Sequence, residues 1–289
     1  TVDGTLVGGY GLGFKQVDIG GVSVDAVHRM FLTVRPDQGG KGHGRLLMDQ
    51  VRRVFLDEAT GPAMTYGYIE ADNSRSLSTA KKAGYQRMAT LQARVFSRLS
   101  PKASTDLSPL GDEPGFRETL NEHYRDYALV DLYQSFHPNA YEVLRRDGEI
   151  VAGVQVEPRN WTVTSLGGGL VNLALKLLPS LPCASRFLPK GDFPFLALSN
   201  IYVPEGQETA FLELVEALMV KHGIHTSMWL ADERCEMDGR IQALGGFGAM
   251  ATLAGESAVY VMAGFANLDE AAIADLSARP VLVSPLDPT

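Results

Sequence analysis

Between Gly39 and Gly44 the sequence GGKGHG sets four glycines in six residues, with Lys41 inside the cluster and Arg45 directly after it. Glycine loses more entropy on ordering than any other residue, so such a cluster marks a place where the backbone itself must approach something. An apolar run, FLTV (Phe31–Val34), precedes it and a helix-like stretch comes after. A strand, a glycine turn and a helix N-terminus together bind anions: the first helical N–H groups lack intrahelical partners, and the helix dipole adds about half a positive charge. With Lys41 and Arg45 beside it, phosphate or pyrophosphate is the natural guest. The loop is neither a nucleotide hydrolase phosphate loop, G-x-x-x-x-G-K-[ST], nor the dinucleotide fingerprint G-x-G-x-x-G, for it reads G-x-G-x-G with no acidic residue at a strand end about 20 positions on. GGYGLG (Gly8–Gly13) lies inside a strand pattern and reads as bulge or close-packing glycine.

Other reactive side chains are sparse. His222 and His225 have H-x-x-H spacing but flank a helix stop and lack a third ligand, so no metal site is read from them. Cys183 and Cys235 are the only cysteines and read as buried or incidental, with no disulfide framework, which makes a reducing cytoplasm the default. The net charge of −8 argues against a general affinity for nucleic acid or an anionic membrane and suits a cationic small molecule or basic peptide. The longest apolar candidate, GGGLVNLALKLLPSLPC (Gly167–Cys183), is interrupted by Lys176 and Pro179 and reads as a core-facing or lid helix. Trp161 and Trp229 read as core.

The elements that must position the loop are set by pattern. Residues 5–19 and 24–34 read as strands, and Pro36 bars continuation. Leu47, Val51, Val54 and Phe55 fall at helical spacing after Gly44. AMTYGYIEA (Ala63–Ala71) is a strand, Asn73 an N-cap, and Gly84 the stop of a short helix ending in Lys81 and Lys82. One or two strands over Arg87–Leu99 close the unit, and the Pro- and Ser-rich residues 100–115 read as a linker. Beyond it the pattern recurs: VDGTLVGG (Val2–Gly9) returns as RDGEIVAG (Arg146–Gly153), and GYQRMATL (Gly84–Leu91) as GFGAMATL (Gly246–Leu253). Between them lie a strand over Phe195–Val203, a helix burying Ala210, Phe211, Leu214, Val215 and Leu218, a Gly223 stop and a strand over Ile224–Asp232. The opening TVDGTLVGGYGL reads as the middle of a domain, so a preceding segment is expected.

FLTVRPDQGGKGHGRLL, with NSRSLSTAKKAGY (Asn73–Tyr85) after it, resembles the GNAT superfamily of N-acetyltransferases, with both segments in family order and spacing. The resemblance covers roughly residues 1–98 and, more faintly, about 140–264. It implies an α/β (α+β) protein of two GNAT-like domains, each a mixed, mostly antiparallel sheet flanked by helices: 1–99, the linker 100–115, and a degenerate 116–289. It implies acetyl-CoA as co-substrate and a primary amine as acceptor, with no metal, nucleic acid or membrane partner and with oligomeric state open. The N–H groups of Gly39, Gly40, Lys41, Gly42, His43, Gly44 and Arg45 would cradle the CoA pyrophosphate, Leu32, Thr33 and Val34 would pair with the pantetheine arm, and Asn73 would lie near it. His28 is the candidate base, on the strand where some family members carry a catalytic glutamate; the alternative is a solvent-facing or packed strand histidine. Glu70, with Asp72, is the second candidate. Two positions depart from the family: Gly39 stands where Gln or Arg is usual, and Ala80 replaces the tyrosine that often serves as general acid. In the second half Glu205 and Glu208 would oppose a pyrophosphate, so that half is expected to shape the acceptor cleft or buttress the first. The reading is amine N-acetyltransfer by direct attack; the alternatives are an inactive acyl-CoA-binding sensor or scaffold, and a nucleotide-binding protein with an unorthodox loop.

Overall fold

The computed structural model describes residues 1, 4–19, 22–132, 141–162, 184–187, 192–255 and 257–283. Ten strands form one mixed sheet: β1 (Gly8–Ile19), β2 (Val22–Val34), β3 (Ala63–Glu70), β4 (Gln86–Ser97), β5 (Leu107–Pro109), β6 (Tyr141–Arg146), β7 (Glu149–Thr162), β8 (Asp192–Tyr202), β9 (Thr226–Asp232) and β10 (Ala258–Ala266). Their spatial order is β1-β2-β3-β10-β4-β9-β8-β7-β6-β5. Only β2 with β3 and β8 with β9 run parallel; the other neighbours are antiparallel. The described residues hold seven α-helices: α1 (His43–Arg52), α2 (Ser74–Lys82), α3 (Phe116–His123), α4 (Glu208–His222), α5 (Glu236–Ala243), α6 (Ala249–Ala254) and α7 (Glu270–Ala278). The strand from residues 258–266 sits between β3 and β4, and β4 in turn pairs with β9. The two halves of the chain thus share one continuous sheet.

Side-chain alternation sorts the strand residues onto two faces. On one, Ile69 and Met262 pack with Met48 of α1 and Ala80 of α2. Phe96, Leu196 and Trp229 lie on that same face against Phe211 and Leu214 of α4 and Ile241 of α5. On the opposite face Tyr66, Leu91 and Val261 pack with Ala128, Leu129, Leu276 and Val281. Among the described residues α1, α2, α4 and α5 cover one face, and α7 packs on the other through Leu276.

Local signals place most elements. Asn73 caps α2, its side chain accepting from Ser76 N–H at 3.0 Å. Gly223 ends α4 in the left-handed conformation. Strand β4 is continuous over Gln86–Ser97 rather than two strands. The expected stripe after Gly44 needs correction. A π-turn over Arg53–Asp57, with Glu58 N–H donating to Arg53 O at 3.0 Å, adds a residue to the helix and rotates the positions C-terminal to it. Ahead of the turn Met48 and Val51 are buried, Val51 as expected; past its start Leu56 is buried in place of Val54, which is exposed.

One repeat anchor is also corrected. GYQRMATL runs into β4, whereas the MATL of GFGAMATL lies in α6. Positive φ at Gly245, Gly246 and Gly248 turns the backbone into a helix there, and the strand that enters the sheet is β10, further on. The candidate helix Gly167–Cys183 lies outside the described residues, as does Cys183.

Candidate functional site

Strands β2 and β3 are in parallel register only from Asp25↔Ala63 to His28↔Tyr66. Beyond that pair β2 keeps β1 as its neighbour and β3 keeps β10, so the C-terminal ends of the parallel strands splay. Openings at the carboxyl ends of parallel strands are where α/β sheets bind ligands. A bulge sits at the mouth: the β1–β2 register shifts between Gly9↔Thr33 and Gly11↔Met30, and Phe31 takes φ +53°. A positive φ at a bulky aromatic residue is costly and marks a backbone held for a purpose. The bulge re-aims the backbone of Phe31 and Leu32. Leu32 and Thr33 are exposed and Val34 half-buried, along the edge of β2 that faces the opening.

The glycine loop comes directly after. Pro36–Gln38 form one 3-10 turn, Gly39 is extended, Gly40 and Gly42 have φ of +80° and +85°, and α1 starts at His43. Gly42 is the N-cap, has no side chain to cap with, and adopts a conformation costly to any residue bearing a Cβ. The α1 hydrogen bonds begin with Leu46 N–H to Gly42 O at 3.0 Å, so the N–H groups of His43, Gly44 and Arg45 point out of the helix end. The cations are placed around this end. Lys41 Nζ donates to Gln38 at 2.9 Å, and Arg45 holds Asp49 at 2.7 Å one turn along. Arg75 of α2, which no motif in the sequence singles out, comes close enough that a Cβ at Gly39 would lie 3.7 Å from its guanidinium. It makes no ion pair among the described residues. Asn73 is engaged in capping α2, at the end of the turn that leaves β3.

His28 lies at the root of the splay and is buried. Its ring stacks on Tyr66, centroids 4.8 Å apart and 12° between planes, and meets Tyr68 at 4.9 Å. The packed strand position holds, and the same packing joins His28 to the floor of a cavity. Tyr68, Glu70 and the bulged Phe31 line one end of a groove of about 780 Å³ on the face opposite α1 and α2. The groove crosses β10, β4, β9 and β8 to reach Glu157, Arg159 and Trp161 on β7. Glu70, an exposed carboxylate at the splay end, makes no ion pair among the described residues, and Asp72 is exposed without lining the groove. Trp161 corrects an expectation: it is 44% exposed and forms an aromatic wall with Phe195, centroids 4.7 Å apart, whereas Trp229 is core. On the helical face, Arg29 reaches across β3 to donate to Met262 O at 3.0 Å, its guanidinium 3.8 Å from the centre of the Tyr85 ring. Burial lowers its pKa, and only its place beside the candidate base would have flagged it.

The second half repeats the splay and fills it. β8 and β9 are in register only at Leu196↔Ser227 and Ala197↔Met228. The β7–β8 register shifts between Gly153↔Tyr202 and Gln155↔Ser199, and Asn200 takes φ +48°, matching the bulge at Phe31. Here the turned-out carbonyls are taken: Tyr124 donates to Ile201 O and Tyr141 to Asn200 O at 2.8 Å. A cavity of only about 40 Å³ remains. At the start of α4 the Glu208 carboxylate accepts from Gly206 N–H at 3.3 Å and holds Arg240 at 2.7 Å. That helix end already has its anion.

Among the described residues no group of three His, Cys, Asp or Glu is placed to hold a metal, and no helix is long and apolar enough to cross a membrane. His225 places Nδ1 2.9 Å from Arg98 O. Cys235 is a buried free thiol with its pKa pushed up by burial, at 3.2 Å from the Tyr127 hydroxyl, so it is not an activated nucleophile.

A paired splay, each with its bulge, on one shared sheet defines a fold class. No family model matches the chain, and no curated protein sequence does. Among solved structures, Saccharomyces cerevisiae N-myristoyltransferase with bound myristoyl-CoA is similar over 98% of this chain and 71% of its own, with TM-score 0.55 and 12% identity. A GCN5-related N-acetyltransferase from Anabaena variabilis ATCC 29413 matches over 89% of this chain at TM-score 0.47 and 10% identity, and one from Kribbella flavida over 90% at 0.48 and 12%. The chain spans 59% and 57% of those two structures' lengths. The fold is the GNAT fold, in the double arrangement of the N-myristoyltransferase. These structural neighbours are acyltransferases.

Proposed function

We propose that the protein transfers an acetyl group from acetyl-CoA to a primary amine by direct attack, as a cytoplasmic N-acetyltransferase. The observation that carries the reading is the β2–β3 splay opening directly onto the glycine-lined N-terminus of α1. The outward N–H groups of His43, Gly44 and Arg45, with Lys41 and Arg75, take the pyrophosphate, and the free edge of Leu32–Val34 takes the pantetheine arm. The Gly39 N–H, expected in the cradle, instead donates to Pro36 O at 3.2 Å. The thioester then lies in the splay above His28, and the acceptor arrives from the groove on the other face.

An alkylamine of pKa about 10.4 is protonated by some 3.4 units at pH 7, roughly 4.6 kcal/mol against attack. Glu70 at the groove end and His28 beneath Tyr68 form the route by which that proton leaves. A backbone N–H at the Phe31 bulge is the candidate oxyanion donor for the tetrahedral intermediate. Ala80 lies fully buried on the inner face of α2 and offers no hydroxyl, so proton delivery to the leaving thiolate falls to another group or to water. The same observation favours the second reading, an acyl-CoA-binding sensor without turnover. The matching bulges support reading the chain as a tandem repeat in which Tyr124 and Glu208 have closed the second CoA site.

Calorimetric titration with acetyl-CoA, beside ATP and NAD, tests the core of this. Micromolar binding of acetyl-CoA alone, abolished in Gly42→Glu, is the expected result. Absence of binding overturns the assignment, and binding without transfer to any amine selects the sensor.

A further inference from the structure

We propose that the acceptor is an elongated, apolar primary amine, its ammonium held at Glu70 and its tail laid along the groove toward Trp161 and Phe195. This rests on the acyltransfer reading above. The groove runs from β3 to β7, five inter-strand steps of about 4.8 Å, or roughly 24 Å. Such length is unnecessary for a small polar amine. Its middle is built from Val259, Val95, Met228 and Leu230, side chains that favour apolar contact and give hydrogen bonds to nothing. At the β7 end the Glu157 charge is neutralised by Arg159, 2.7 Å away. Among the described residues Glu70 is the one carboxylate of the lining without a cation, and it stands next to Tyr68 at the splay, where the reacting nitrogen must be. One unmatched negative charge, placed at one end of a long apolar floor, selects one positive charge on one apolar chain. A polycationic peptide would set its further charges against that floor, where nothing offsets their desolvation.

Steady-state transfer from acetyl-CoA to n-butylamine, n-octylamine and 1,8-diaminooctane tests the proposal. Each buried methylene is worth up to about fourfold in affinity, so KM should fall at least about tenfold from n-butylamine to n-octylamine. The length-matched diamine should forfeit that gain. In Trp161→Ala the butyl-to-octyl KM ratio should shrink toward one, with KM for acetyl-CoA unmoved. Equal KM values for the two monoamines, or a preference for the diamine, overturn the proposal and leave the acyltransferase reading standing. Binding is read separately from the emission of the exposed Trp161. A saturable blue shift with n-octylamine, absent in Trp161→Ala, without any acetyl transfer supports the groove assignment and overturns the acyltransferase reading. Neither shift nor transfer overturns both.

Discussion

His28 touches the two tyrosines that lead from the splay to the groove, so its removal should act on turnover more than on cofactor affinity. His28→Ala is expected to lower kcat by about 10²–10³ with little change in KM for acetyl-CoA, measured by steady-state kinetics on the folded variant; an unchanged kcat would transfer the base role to Glu70. Gly248 makes a structural prediction of the same sharpness. It has φ +88°, and a Cβ there would lie 2.2 Å from the backbone oxygen of Ser97. Backbone cannot step aside as a side chain can, so Gly248→Ala should cost roughly 3 kcal/mol or more, seen as a lowered urea midpoint with an unchanged slope. At this scale the sequence is legible where chemistry is local. Asn73 capping, the Gly223 stop and the positive φ of Gly40 and Gly42 are all dictated by residue type. Arg75 is not legible, because its approach to Gly39 is a contact between the α1 loop and another helix, and Trp161 is misread because strand alternation does not say which face is covered.

The two splays are the elements that divide the halves. In the second, Tyr124 and Tyr141 are fully buried, and Tyr127 largely so; desolvation raises the pKa of all three phenols. The unfolded chain ionises tyrosine near pH 10 while the folded one keeps its protons, so this stabilisation is complete below pH 10 and is lost as pH rises above it. Urea unfolding between pH 8 and 11 should show a stability loss that is smaller in Tyr124→Phe. That variant should also cost about 1 kcal/mol or more at neutral pH, since Ile201 O loses its donor. The periodicity of β8, α4 and β9 announces these elements, and the missing glycines and Glu208 announce that α4 does not take a phosphate. The tyrosine plug is invisible in the sequence, since Tyr124 and Tyr141 stand 77 and 59 positions before the carbonyls they meet, and no local pattern encodes so distant a contact.

Across the whole molecule, the joint between halves is electrostatic as well as hydrogen-bonded. Arg94 of β4 donates to Asp238 at 2.8 Å, and Trp229 donates to the other oxygen of that buried carboxylate at 3.0 Å. Asp238→Ala strands a half-buried guanidinium and an indole N–H, and is expected to cost about 3 kcal/mol, read from thermal melts as a drop of roughly 6–12 °C. The pairing of β10 between β3 and β4 cannot be read from the chain, because strand order is a property of long-range pairing that no local periodicity encodes. It also sets the order of events during synthesis. As the nascent polypeptide leaves the ribosome, β3 and β4 emerge with a gap between them that stays open until residues 258–266 arrive, about 160 residues after β4. For that interval two hydrogen-bonding edges face solvent, free to pair wrongly with each other or with a neighbouring chain. Maturation of the first site therefore waits on the last part of the sheet to be translated.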